Sequence, residues 1–364
     1  MVDLFIVGAG PAGANLARLA GERHQVLLLD QRDLRGENPL NRKTKCCGGL
    51  LAPDAQKILG EMGLGIPRDV LVDPQLFAVR TLDVSSGEEA LYQRHYYNLD
   101  REKFDRWLVS LLPPSVKTCF NAVYLSHEAI PGGFIVRYRQ KGELKEVKTR
   151  LLIGADGAFS KVRRTLALPQ NPSSYVCIQE EYPAEDLPPY FTAIFDLAVT
   201  DFYGWIIPKD NHLLLGLAVP QGKDPWEAME KLRSRLALKG IFLQKKIRTE
   251  GAHLLRPQKN SQFSPGKDGV LLVGEASGAI SPSSAEGISY ALRTSLLLAK
   301  ALEEGIPGVL SRYAKSLFPL RRNLLGKRLK SPFMYQPRLR KAVMASGLLA
   351  MKPFHSPLLW PCPR

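Results

Sequence analysis

The chain opens with Val2-Asp3-Leu4-Phe5-Ile6-Val7, which runs straight into Gly8-Ala9-Gly10-Pro11-Ala12-Gly13, and no other feature restricts the fold as much. The apolar run reads as a short buried strand, the stretch from about Ala12 to Ala20 as a helix, and Gln25–Leu29 as a second strand ending on Asp30. That acid stands 22 residues beyond Gly8, so strand, glycines, helix, strand and acid follow in the order of a dinucleotide-binding βαβ unit. Gly8, Gly10 and Gly13, with the small Ala12 among them, let the chain turn tightly and bring backbone against a pyrophosphate at the positive end of the helix. Asp30 is expected to accept hydrogen bonds from an adenosine ribose and to repel a 2′-phosphate. A tight strand–helix turn alone would use the same glycines, but it gives no reason for the acid.

A length of 364 residues, 45% of them hydrophobic, suits about two domains with real cores. It excludes a disordered chain, a collagen-like repeat and a disulfide-stapled mini-protein. The formal net charge of +15 would by itself suggest nucleic acid, an anionic membrane or an acidic substrate. Its location is more informative than its sum. Residues 305–364 hold twelve Lys/Arg and no Asp or Glu, which leaves 38 cations against 35 acids before them. Cys46, Cys47, Cys119, Cys177 and Cys362 form an odd set with no CxxC pair, so no metal site and no disulfide framework are expected. A cytoplasmic, reducing compartment is the expectation. Asp3 stands where a secretory signal carries positive charge, and no run of about 18 uncharged apolar residues is present to span a bilayer.

Two later segments carry a resemblance. Leu152-Ile153-Gly154-Ala155-Asp156-Gly157 resembles the DG motif of flavoproteins of the p-hydroxybenzoate hydroxylase fold, and Val270-Leu271-Leu272-Val273-Gly274-Glu275-Ala276-Ser277-Gly278 resembles their GD motif, with Glu275 in place of the usual Asp. Arg101 matches the family arginine that lies along the cofactor. The resemblance implies FAD as cofactor, with Asp156, Gly157, Glu275 and Arg101 among its contacts. It also implies an α/β chain: a discontinuous Rossmann-like FAD-binding domain over 1–75, 98–167 and 264–304, and an α+β substrate domain over 76–97 and 168–263 with an inserted antiparallel sheet. A basic amphipathic helical region would follow over 305–364. Residues 76–97 alternate like a hairpin, and 224–239 have helical periodicity through Trp226, Met229, Leu232 and Leu236. No internal repeat and no second pyridine-nucleotide fingerprint is visible.

Small residues after the GD segment run through Ala285-Glu286-Gly287-Ile288 into a helix. Its N-terminus would present the amides of Gly287 and Ile288 to the electron-rich edge of a reduced flavin, where a Cβ would block the ring. A packing glycine is the alternative.

The most distinctive loop is Lys43-Thr44-Lys45-Cys46-Cys47-Gly48-Gly49-Leu50-Leu51. A thiol near cations has a lowered pKa and can donate a proton, although a cysteine is often only a small buried hydrophobe. The loop resembles the KxCGG signature of the geranylgeranyl reductase family and, within it, the CbrA-type proteins; Cys47 falls on the family cysteine and Gly48 and Gly49 beside the cofactor. Tyr203-Gly204-Trp205-Ile206-Ile207-Pro208 resembles the family's YxWxFP motif, and also the WxWxIP motif of halogenases. Tyr203 and Trp205, two apart on a strand, would share one face and with Pro208 line an apolar cavity, unless they serve only as sheet core.

The resemblance implies an FAD-dependent reductase of carbon–carbon double bonds in an isoprenoid chain or related lipid, with Cys47 as proton donor and Tyr203 in reserve. NAD(P)H or a protein carrier would supply electrons. The alternatives are an FAD-dependent monooxygenase or halogenase, and a membrane-peripheral flavoprotein that binds or senses without turnover. Over 312–352 cations alternate with leucines at helical spacing, and Pro319, Pro332 and Pro337 are expected to break the stretch into short helices. Such a surface suits the anionic inner face of a membrane, or a helical cap packed on the core. No motif supports nucleic-acid reading.

Overall fold

In a computed structural model of the chain the described residues are 1–36, 46–169, 174–185 and 187–351. Lys43, Thr44 and Lys45 of the cysteine loop, and Cys362, lie outside them.

Two mixed layers of sheet and helix organise the molecule. The first sheet is built on the Val2–Val7 strand, which pairs in parallel with Val26–Leu29 on one side and with Glu143–Gly154 on the other. Lys117–Cys119 and Val270–Leu272 extend it in parallel. The strand Gly133–Gln140 pairs antiparallel with Glu143–Gly154 on one side and with Ala122–Ile130 on the other. Leu4 and Ile6 pack into one core cluster while Phe5 and Val7 pack into another. Burial on both faces is why this strand is a continuous apolar run rather than an alternation. The helices Pro11–Ala20 and Ile288–Glu303 lie together against the Leu4/Ile6 face, where Asn15 Nδ2 donates to Ser295 Oγ at 2.8 Å.

The second sheet runs in the order Arg248–Leu255, Ser174–Pro183, His212–Pro220, Gly204–Lys209, Tyr190–Phe195, Leu76–Asp83, Glu89–Asn98 and Leu50–Leu51. Neighbours are antiparallel except for Tyr190–Phe195 and Leu76–Asp83, which run parallel. The helix Pro225–Ala237 covers this sheet with Met229, Leu232 and Leu236. Trp226 departs from the expected pattern and is 58% exposed. It stands in the first turn, ahead of the residues that meet the sheet, beneath the Lys246 ammonium.

The basic region forms the helices Val309–Ser316, Phe318–Tyr335 and Pro337–Ala345. Pro319 and Pro337 stand at helix starts, whereas Pro332 lies inside Phe318–Tyr335, contrary to the expected break. Proline removes one backbone bond there, but Tyr335 beyond it is anchored in a core cluster and Gln336 N closes the turn on the Pro332 carbonyl at 2.9 Å. Leu324, Tyr335, Arg340 and Met344 are buried against the body. No helix among the described residues is long and apolar enough to cross a membrane.

Candidate functional site

The glycine turn separates into packing and open positions. A Cβ on Gly8 would meet the Ala155 carbonyl oxygen at 2.5 Å, and one on Gly13 the Gly8 oxygen at 1.8 Å. Gly8, at φ +102, and Gly13 therefore seat the turn on the segment before Asp156. Gly10 is different: it caps the first helix and a Cβ there meets nothing within 4 Å. The protein's own packing gives no reason for glycine at that helix N-terminus, and close approach of a phosphate does. Ala12 packs where a Cβ on Gly274 would approach it at 2.9 Å, so it joins the first helix to the GD turn.

Asp30 is buried, accepts Ala9 N at 2.7 Å, and is held by Arg32 through both oxygens. Arg32 reaches on to Asp105 at 2.8 Å, and Asp105 accepts Arg101 Nε at 2.9 Å. Burial opposes the charge on Arg32, but Asp105 and Asp30 raise its pKa above the ordinary value. Arg101 in turn points Nη1 at Cys47 Sγ, 3.7 Å away. Asp30, Arg32, Asp105, Arg101 and Cys47 thus form one continuous chain of contacts from the expected ribose position to the cysteine.

Asp156 accepts from Ser160 Oγ at 2.5 Å and from Lys161 N at 2.7 Å, capping the short helix Lys161–Arg164 and shaping the turn through Gly157. Burial pushes its carboxyl up. Glu275 Oε1 accepts Leu255 N at 3.0 Å, so the longer side chain ties the GD turn to the second sheet. Arg163 donates to the carbonyls of Ala276 and Gln262, binding the two turns together. Gly287 caps the helix Ile288–Glu303, and a Cβ there meets only Ile280, at an ordinary 3.7 Å. Among the described residues, the Gly287 and Ile288 amides have no protein acceptor. Open glycines at two helix N-termini fit a flavin dinucleotide.

The cysteine loop is carried in by the pairing of Leu50 with Asn98 and of Leu51 with Tyr97, and Leu99 N donates to the Gly49 carbonyl at 2.9 Å. Cys47 Sγ also accepts from Gly49 N at 3.5 Å. Gly49 needs its left-handed φ of +61, and a Cβ would lie 2.2 Å from the Leu99 oxygen. A Cβ on Gly48 would strike Ile207 Cδ1 at 2.5 Å. The Gly-Gly turn therefore rests directly on the Tyr203–Pro208 segment. Burial pushes the neighbouring Cys46 thiol well up, and that of Cys177 to about 12.

Tyr203 and Trp205 do share a face, with ring centroids 5.8 Å apart, in a cluster with Phe195, Phe202, Tyr175 and Tyr335. Tyr203 directly precedes its strand, and its hydroxyl donates to the Ser284 carbonyl at 2.8 Å. Burial pushes that phenol up, which makes it a poorer acid. Trp205 Nε1 donates to Gln179 at 3.2 Å, and the Pro208 carbonyl accepts Asn98 Nδ2 at 2.8 Å.

Protein CbrA of Escherichia coli matches this chain at 38% identity over 346 residues, 95% of the chain and 93% of the relative. The chain belongs to the CbrA family. No protein-family model matches it. Among solved structures, a geranylgeranyl bacteriochlorophyll reductase-like protein of Thermoplasma acidophilum is similar to this CbrA-family chain at TM-score 0.75 and 19% identity, covering 94% of it and 98% of the other. The probable FAD-dependent monooxygenase PqsL of Pseudomonas aeruginosa is similar at TM-score 0.70 and 18% identity, covering 95% and 99%. At these identities the likeness establishes the mixed α/β flavoprotein fold.

Several residues of the CbrA-family site have no motif to announce them. Arg32 and Asp105 complete the chain to Cys47. Arg256 is buried with its guanidinium carbon 4.4 Å from the rings of both Phe202 and Tyr335, and its Nε donates to the Pro282 carbonyl at 3.1 Å. Lys209 is buried beneath the Gly-Gly turn. For Lys209 a signal exists: it is a lysine ending the otherwise apolar strand Ile206-Ile207-Pro208.

Proposed function

We propose that this protein is an FAD-dependent reductase that adds hydrogen across carbon–carbon double bonds of an isoprenoid chain or related lipid. The observation that carries the reading is the contact of the Cys-Gly-Gly turn with the aromatic strand: Gly48 rests on Ile207, Arg101 holds Cys47, and Tyr203 and Trp205 stand on the same strand segment. FAD, bound and reduced by NAD(P)H or a protein carrier, would supply hydride to one alkene carbon. Cys47 holds the proton for the other carbon, and Arg101 stabilises the sulfur as that proton leaves. Tyr203, its hydroxyl occupied by Ser284, serves as wall and loop anchor. The aromatic cluster excludes water, which an unactivated alkene requires for protonation to compete.

The outward face of Phe318–Tyr335 supports a lipid surface as partner. Phe318, Leu329 and Phe333 are 63%, 66% and 50% exposed, with Arg322 and Lys330 exposed beside them. Apolar side chains rimmed by cations suit the headgroup boundary of an anionic bilayer at the cytoplasmic face.

Anaerobic incubation of the reduced protein with total polyprenyl lipid is expected to give products heavier by two hydrogens in mass spectra. Oxygenated or halogenated products, with oxygen-dependent NAD(P)H consumption, would replace this reading with the monooxygenase or halogenase one. Unchanged lipid and no oxygen use would leave a binding or sensing flavoprotein.

A further inference from the structure

We propose that Lys209 positions Cys47 for proton donation, bracing the turn that carries the thiol and placing a cation beside it. The part concerning proton donation rests on the reductase reading; the link between Lys209 and Cys47 does not. Lys209 ends the Gly204–Lys209 strand and is only 7% exposed. Its Nζ donates to the Leu99 carbonyl at 2.8 Å and reaches the Gly49 carbonyl at 3.4 Å. Among the described residues no carboxylate forms an ion pair with it. A buried ammonium without a carboxylate is costly to keep, and bracing a turn needs only a neutral donor, so the charge has to serve what lies beside it.

What lies beside it is the sulfur. Gly49 is common to both groups: its N–H points at Cys47 Sγ and its carbonyl at Lys209 Nζ. Leu99, the other partner, lies two residues before Arg101, whose guanidinium touches the same sulfur. One thiol therefore has a permanent cation on one side and a titratable one behind its own turn. Burial pushes Lys209 down to about 8, while Cys47, Asp100 and Asp210, the charged groups facing it, act in the opposite direction. When Cys47 gives its proton to a substrate carbon, the thiolate left behind is held by both cations until it takes a proton back from water.

The test is a pulse of iodoacetamide across a pH range spanning neutrality, with Cys47 alkylation followed by peptide mass spectrometry on wild type, Lys209→Met and Lys209→Arg. Loss of the cation in Lys209→Met is expected to move the Cys47 midpoint upward by about one pH unit, a tenfold slower reaction on the acid side. Lys209→Arg keeps a fixed charge, so its profile is expected to lack the second inflection near pH 8 that deprotonation of Lys209 should give the wild type. If Lys209→Met does not fold, the comparison of Lys209→Arg with wild type decides. A Lys209→Met profile superimposed on wild type, or a Lys209→Arg profile identical to it, overturns the proposal. Separately, full lipid turnover by Cys47→Ser defeats the donor reading and leaves the alkylation result standing.

Discussion

The Tyr335 hydroxyl donates to the Ser283 carbonyl at 2.6 Å, so the helix Phe318–Tyr335 holds the loop that leads into the Gly287 helix start. Two more donors act on the adjoining carbonyls: Arg256 on Pro282 and Tyr203 on Ser284. Three consecutive carbonyls are thus fixed by side chains from three separate segments. Tyr335→Phe removes one donor while keeping the stack with Phe202. Leaving a buried carbonyl unpaired costs about 1–3 kcal/mol. FAD affinity measured by fluorescence titration is expected to fall about tenfold, with the fold retained by circular dichroism. Unchanged affinity would make the tyrosine a packing residue only.

Gly10 and Gly13 lie in one motif, yet their replacement has opposite consequences. Gly13→Ala forces a Cβ to 1.8 Å from the Gly8 oxygen, so the turn or the first helix has to shift and the thermal midpoint falls. Gly10→Ala meets open space, so the apoprotein should melt within a degree or two of wild type while FAD binding is lost. Thermal melts of both variants, with and without added FAD, separate the outcomes. Retention of FAD by Gly10→Ala would move the pyrophosphate elsewhere.

The parts of the site that sequence reveals are those whose demands are local. Gly8, Gly10 and Gly13 are read together because they fall within six residues between an apolar strand and a helix. The Arg32–Asp105 contact spans 73 residues with no periodicity to join them, and only the packed sheet brings them together. Trp226 fits a helical period but falls outside the buried face, since periodicity ignores where a helix begins relative to its sheet. Pro332 misleads in the opposite direction: local propensity forbids it within a helix, and the anchoring of Tyr335 outweighs that.

Arg340 and Asp83 form a buried pair, Nη2 to Oδ2 at 2.7 Å, joining the last helix to the second sheet. Arg340→Met leaves the carboxylate buried without its cation, which costs about 3–5 kcal/mol and lowers the urea midpoint accordingly. Arg340→Met combined with Asp83→Leu should recover most of the loss. This pair and Tyr335 also make truncation at 312 a poor test of lipid binding, because it removes core contacts. Replacing exposed Phe318, Leu329 and Phe333 by serine should instead reduce sedimentation with anionic vesicles and leave the melting curve nearly unchanged. Undiminished sedimentation of that variant would remove the outward face as a lipid surface.

The buried Lys209 makes stability depend on alkaline pH with a definite sign. Burial lowers its pKa from 10.5 to about 8, so between those values the unfolded chain binds more protons than the folded one. Stability contributed by this residue therefore rises with pH across that window, and below it the full desolvation penalty is present. Other alkaline groups titrate in the same range, but they are shared by Lys209→Met, which lacks only the amine. Urea unfolding of both proteins at matched pH isolates the residue. The stability of wild type relative to Lys209→Met should increase by up to about 3 kcal/mol from pH 8 to pH 10.5. A difference that stays flat across the window would mean that the ammonium is solvated in the fold and keeps its charge to about pH 10.5, so the inflection near pH 8 expected in Cys47 alkylation would be missing as well.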